Sequence, residues 1–217
     1  MKILNLYACL GGNRYKWSDE HQITAVELDP ELANMYQERF PNDTVIVGDA
    51  HEYLLGHYKE FDFIWSSPPC PTHSKARGWN TKVETKYPDM KLYEEIILLE
   101  TVSKGEKARF DGKYVVENVI PYYDPLIAGQ QRGRHLYWAN FKIPHLKHRE
   151  GVKIGKEKDE VKAWCKFHDY DFYNYKGVQP MNKIARNLVD YEAGKTILDA
   201  AMGIISKQNE KQVDLFN

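Results

Sequence analysis

The sequence has little of what marks a secreted, membrane-bound or metal-holding protein. Only three cysteines occur in 217 residues. They stand at positions 9, 70 and 165, a spacing that gives neither a disulfide framework nor a metal-ligand pair. No apolar run approaches the roughly 18 residues that a membrane-spanning helix needs, so no membrane partner is expected. Residues 1–12 hold one lysine and no signal-type cleavage pattern, and they read as a first β-strand. Neither sign of charge is in excess. The 30 Lys and Arg against 31 Asp and Glu leave a net charge of −1, so a polyanion would have to meet a local basic face. Internal repeats and low-complexity tracts are missing as well. A reducing cytoplasm fits, where a cysteine stays a thiol.

What remains is globular composition, 42% hydrophobic and 28% charged, enough for one good core or two small lobes. The first half alternates strand and helix patterns. Residues 2–7, 23–28, 44–50, 61–67 and 114–119 read as strands. Asp29-Pro30 opens a helix through Phe40, and residues 92–100 carry a helical apolar pattern. Repeated β-α-β units imply a parallel sheet with helices on both faces, and such sheets bind ligands beyond the carboxyl ends of their strands. After Val119 the pattern changes. Residues 134–141 alternate like a strand, residues 142–183 have weak periodicity with many aromatics and charges, and residues 191–207 read as a closing helix. The basic stretch 145–162 also holds acids and reads as a solvated surface.

Six constellations sit at predicted strand ends or turns. Gly11-Gly12 follows the first strand, either as a tight turn or as a close backbone approach to a cofactor. Glu27 ends the second, where a carboxylate can accept from both hydroxyls of a ribose. Asp49 ends the third, as an adenine contact or as the cap of a helix beginning near His51. Ser66-Ser67-Pro68-Pro69-Cys70 follows the fourth. Two prolines stiffen that turn and aim the next residue, which suits a nucleophilic thiol better than a buried structural one. Glu117-Asn118-Val119 ends the fifth, where a carboxyl group can meet the Watson–Crick edge of a base. Gln130, Arg132 and Arg134 alternate, which predicts both guanidiniums on one face, turned to phosphate or base oxygens.

In this order the motifs resemble the DNA cytosine-5 methyltransferase family, above all in Pro68-Pro69-Cys70 with Ser74 following, Glu117-Asn118-Val119, and Gln130-x-Arg132-x-Arg134. The resemblance covers nearly the whole chain. It implies a Rossmann-like, S-adenosyl-L-methionine-dependent α/β fold with a small recognition lobe. Residues 1–141 would form the catalytic core, 142–183 a reduced target-recognition region, 184–207 a closing segment returning to the core, and 208–217 a flexible tail. It also implies roles. Tyr7, Cys9, Gly11, Gly12, Glu27, Leu28, Asp49, Ala50, Pro68, Asn187 and Val189 would line the cofactor. Cys70 would attack carbon 6 of a cytosine flipped out of double-stranded DNA. Glu117 would hold N3, Arg134 the O2 region and Arg132 the phosphate side, and a neighbouring Arg would favour the thiolate. Ser74, Lys75, Arg77 and Gln130 would meet nucleic acid.

The chain departs from the family at three places. Cys9 stands at the middle glycine of the first turn, Arg186 replaces the glycine of the closing motif, and the recognition region is very short. Its aromatics Trp164, Phe167, Tyr170, Phe172, Tyr173 and Tyr175 fit either nucleic-acid contact or a small hydrophobic core. In the tail, Gln212, Asp214, Leu215 and Phe216 of QVDLF resemble the pentapeptide with which bacterial proteins dock on the sliding clamp. That implies a nucleoid-associated enzyme in a bacterial or phage setting. The alternatives are an RNA cytosine-5 methyltransferase and a catalytically silent DNA- or clamp-binding homologue.

Overall fold

The computed structural model describes residues 1–75, 84, 86–100, 110–146, 149, 152 and 159–204. Strands β1 (Lys2–Leu6), β2 (Gln22–Glu27), β3 (Thr44–Val47), β4 (Phe63–Ser66) and β5 (Lys113–Val119) run parallel. A hairpin, β6 (Gln130–Arg132) and β7 (His135–Ala139), completes one seven-stranded sheet of order β3-β2-β1-β4-β5-β7-β6, with β7 antiparallel to both neighbours. The expected all-parallel sheet is therefore mixed at one edge. The order reverses between β1 and β4, and the crevice outside that switch point is where such a sheet takes its ligand.

Helices cover both faces. The side chains of β1, β4 and β5 are buried alternately to the two sides, which is why these strands read as nearly unbroken apolar runs. One side packs Leu4, Leu6, Ile64 and Val116 under α2 (Ala50–His57) and α3 (Lys91–Glu100). The other packs Ile3, Phe63, Trp65 and Val115 with Trp17 and with Ile197 and Leu198 of α6 (Tyr191–Ala201). Helix α1 (Pro30–Arg39) adds Tyr36 and Phe40 against Ala25. Asp29 caps α1 by accepting from Glu31 and Leu32 N–H, with Pro30 at the first helical position, as the sequence predicts.

Residues 159–187 form α4 (Glu160–His168), a 3-10 turn at Phe172–Asn174 and α5 (Met181–Asn187). Trp164, Phe172 and Tyr175 are buried with Leu10, Leu32, Met35, Ile184 and Leu188. The small hydrophobic core is thus the reading that holds for these three rings. It is continuous with the loop after β1 and with α1. Arg186 makes two 2.5 Å bonds to the carboxylate of Glu160, tying α5 to α4. The residue that departs from the family's glycine is a clamp between helices.

Candidate active site

The Pro68-Pro69-Cys70 turn is held from below. Pro68 is buried, and its carbonyl accepts from the buried Asn118 side chain at 2.9 Å. Ser67 accepts from Trp65 Nε1 at 2.8 Å. Beyond the prolines, Cys70 O accepts from His73 and Ser74 N–H, both at 3.0 Å, closing the next turn. Ser74 also bridges to Pro121. Cys70 is half-buried with a free thiol. Lys75 is exposed, and Arg77 lies outside the described residues.

Glu117 lies opposite Tyr137 in the β5–β7 register, on the face that Val115 shares. Its charge acts on Cys70. Burial, and then Glu117, push the Cys70 thiol above its ordinary value, while Lys183 and Arg134 pull the other way. The expected thiolate-favouring arginine is present, but the net direction is opposite. In the free protein Cys70 is held as a thiol. Lys183, on α5, is a cation near the thiol that sequence reasoning missed. Buried Ile184, Ala185 and Leu188 leave Lys183 and Asn187 one turn apart on the exposed side of that helix.

The expected alternation of Gln130, Arg132 and Arg134 is corrected. Arg134 lies in the hairpin turn with Gly133, whose φ is 59°, and is exposed. Arg132 is spent on the chain: its guanidinium donates to Pro144 O at 2.9 Å, Gln131 O at 2.8 Å and Ile143 O. Gln130 donates to Phe141 O and accepts from Ile143 N, both at 2.8 Å. These two side chains fold residues 141–144 over the hairpin and do not face a substrate. Of the three, Arg134 alone joins the Cys70 cluster.

On the cofactor side, Glu27 accepts from Cys9 N at 2.8 Å and from Asp29 N at 2.9 Å, one bond to each carboxylate oxygen. Each oxygen keeps a second lone pair. Tyr7 and Cys9 both have left-handed backbone, at φ 55° and 47°, so the family's middle glycine is replaced without a change to an ordinary turn. Burial, then Glu27, push the Cys9 thiol to about 12, and it stays neutral there. Leu28, past the end of β2, is 69% exposed, an apolar platform fit for a flat ring. Asp49 caps α2 through His51 and Glu52 N–H and also meets Lys91 at 3.2 Å, so the helix-cap reading holds. Ala50 is buried.

Gly11 and Gly12 serve the turn and its packing. A side chain on Gly11 would collide with Tyr36 and Phe40, and one on Gly12 with Val189 O and Leu188. The closing segment Leu188-Val189 thus lies directly on the first turn, with Asn187 exposed beside it. A further group escaped the sequence reading. Glu95 of α3, taken only as a polar position in a helical pattern, is fully buried beneath Tyr7 and Ser66. The clamp-motif residues Gln212, Asp214, Leu215 and Phe216 and the helix expected beyond residue 204 lie outside the described residues.

Several solved structures resemble the chain. A TehB-like SAM-dependent methyltransferase from Corynebacterium glutamicum matches at 22% identity and TM-score 0.32, over 54% of each chain. A putative DNA modification methyltransferase encoded within an E. coli prophage matches at 19% and 0.37, over 57% of this chain and 33% of that one. DNMT2 of Spodoptera frugiperda matches at 21% and 0.35, over 54% and 35%. The chain thus spans about half the length of the first and about a third of the other two. No curated protein matches it. Residues 1–101, which hold the loop after β1 and the Pro-Pro-Cys turn, are similar to the family model of the C-5 cytosine-specific DNA methylases.

Proposed function

We propose that the protein transfers a methyl group from S-adenosylmethionine to carbon 5 of cytosine in double-stranded DNA, through a covalent bond between Cys70 and carbon 6. The observation that carries this reading is the Pro68-Pro69-Cys70 turn. It is pinned to β5 by Asn118, with Glu117 and Arg134 acting on the same thiol.

The chain's residues fit the cofactor. Glu27 keeps acceptor capacity on both oxygens for two ribose hydroxyls, and Leu28 offers an exposed apolar surface to adenine. Asp49 and Ala50 would border its adenine, and Tyr7, Pro68, Asn187 and Val189 would line the rest. Bound S-adenosylmethionine supplies the electrophilic methyl group that carbon 5 takes up.

The remaining work belongs to this chain. Cys70 gives its proton to solvent and its sulfur adds to carbon 6, moving an electron pair toward N3. Glu117, protonated, gives N3 a proton and so makes that addition possible. Arg134 donates to the base O2. After methylation the carbon-5 proton leaves to solvent, the 5,6 double bond re-forms, Cys70 departs as thiolate and N3 returns its proton to Glu117. Docking on a sliding clamp through Gln212–Phe216 belongs to the same proposal. It would hold a protein with few recognition contacts near DNA.

The test is trapping by 5-fluorocytosine placed in DNA or in RNA, with S-adenosylmethionine present. A covalent DNA complex that disappears in Cys70→Ala is expected. Trapping on RNA alone moves the substrate to RNA, and no trapping on either rejects the mechanism.

A further inference from the structure

A carboxyl group lies at the floor of the crevice between β1 and β4 and has no part in the chemistry above. Glu95 is 0% exposed. A carboxylate is retained in such a place only where partners replace its water. One oxygen accepts from the Tyr7 hydroxyl at 2.6 Å and lies 3.1 Å from His51 Nδ1. The other accepts from the Ser66 hydroxyl at 2.6 Å. His51 in turn meets Glu94 at 3.2 Å. Burial holds the Glu95 carboxyl above the usual range.

The partners give this group its meaning. Tyr7 is the first residue beyond β1, on the cofactor side. Ser66 ends β4, and Ser67-Pro68-Pro69-Cys70 follows it directly. The two strands are neighbours, with Leu6 opposite Ser66. Tyr7 also carries left-handed backbone, which a bulky aromatic residue adopts only when its surroundings hold it there. A short bond to a carboxylate is such a hold. We infer that Glu95 is a positioning residue, whose two carboxylate oxygens hold the methyl-donor loop at Tyr7 and the root of the nucleophile turn at Ser66 in one fixed relation. It touches neither substrate nor cofactor. It sets the distance between the two reacting halves, where an error of about 1 Å costs about a hundredfold in rate. This role rests on the proposed methyl transfer.

The test compares wild type with Glu95→Gln, Tyr7→Phe and their double variant in single-turnover methyl transfer to cytosine DNA. S-adenosylmethionine affinity, iodoacetamide labelling of Cys70 and the thermal midpoint are measured on the same proteins. Gln matches Glu in size but keeps one acceptor oxygen, so one hydroxyl loses its hold. A rate about 10- to 100-fold lower in Glu95→Gln is expected, the scale of a misaligned reaction. In Glu95→Gln, cofactor affinity and Cys70 labelling should stay within about threefold, and the double variant should be no slower than the worse single one. An unchanged rate, a loss matched by weaker cofactor binding or lower stability, or multiplicative effects in the double variant overturns the role of Glu95 alone. No transfer by wild type overturns the underlying reaction as well.

Discussion

The Cys70 thiol responds to charges of both signs, and each can be altered separately. Its pKa is raised, so at neutral pH the reactive thiolate is a minor form that grows as pH rises toward and past the ordinary cysteine range. Glu117→Gln removes a charge that holds the proton on. Labelling of Cys70 by iodoacetamide at pH 8 should therefore speed up, by about two- to tenfold. The same substitution should slow methyl transfer by about a hundredfold or more, because N3 loses its proton donor. Lys183→Met removes a charge of the other sign and should slow labelling by about two- to fivefold, with Lys183→Arg restoring it. Equal labelling in all four proteins would show that these charges do not reach the thiol. Cys70 and Glu117 stand out as candidates in the sequence because one follows, and the other lies near the end of, a strand that announces itself by an apolar run. Lys183 was hidden in a seven-residue helix with weak periodicity. Glu95 was hidden because a buried carboxylate looks, in one dimension, like any polar position on an amphipathic helix. Gln130 and Arg132 misled because a pattern of alternation cannot show the tight turn at Gly133 that ends it.

Among the elements, α6 is seated most tightly. A side chain at Gly194 would collide with the backbone of Asn13, in the 3-10 turn Asn13–Lys16. The carbonyl of Gly194 accepts from Trp17 Nε1 at 3.0 Å, and Lys16 meets Glu192 at 2.5 Å. Gly194→Ala should lower stability by roughly 1–3 kcal/mol, through overpacking against backbone that cannot move aside. Denaturant unfolding measures it, and a loss below about 0.5 kcal/mol would mean that α6 slides to make room. The closing helix itself could be read in the sequence from its apolar spacing. Its seat could not, because a close helix–turn approach depends on one missing side chain. The strand pattern was likewise legible up to β5 and again at β7, but the tight turn at Gly133 that folds β6 onto β7 was not.

At the scale of the whole molecule, the core joins what the sequence divides. His168 sits in the cluster that ties the recognition region to α1, stacked on Trp164 with ring centroids 5.5 Å apart. Its Nε2 donates to Ala185 O at 3.0 Å, and its Nδ1 is buried with no partner among the described residues. Burial lowers this histidine to about 4. The unfolded chain therefore binds the proton more readily between about pH 6.5 and about 4. Stability from this group is full above about pH 6.5, falls as pH drops through that window, and levels off below about 4. Up to about 3 kcal/mol is at stake. Thermal midpoints measured from pH 7 to pH 4 should fall less steeply in His168→Leu than in wild type. Parallel curves would assign the acid sensitivity elsewhere.

The seat of α6 also bears on the order in which the chain can fold. A ribosome delivers the methyl-donor loop, the Glu27 strand and the Pro-Pro-Cys turn long before residues 188–201 emerge. Until then Gly12 lacks the Leu188-Val189 cover, and Ile3, Phe63 and Trp65 lack Ile197 and Leu198. Residues made earlier are thus covered by residues made later. A nascent chain stopped at residue 141 would leave one apolar sheet face open, and would be expected to need a chaperone. That face closes only when α6 docks.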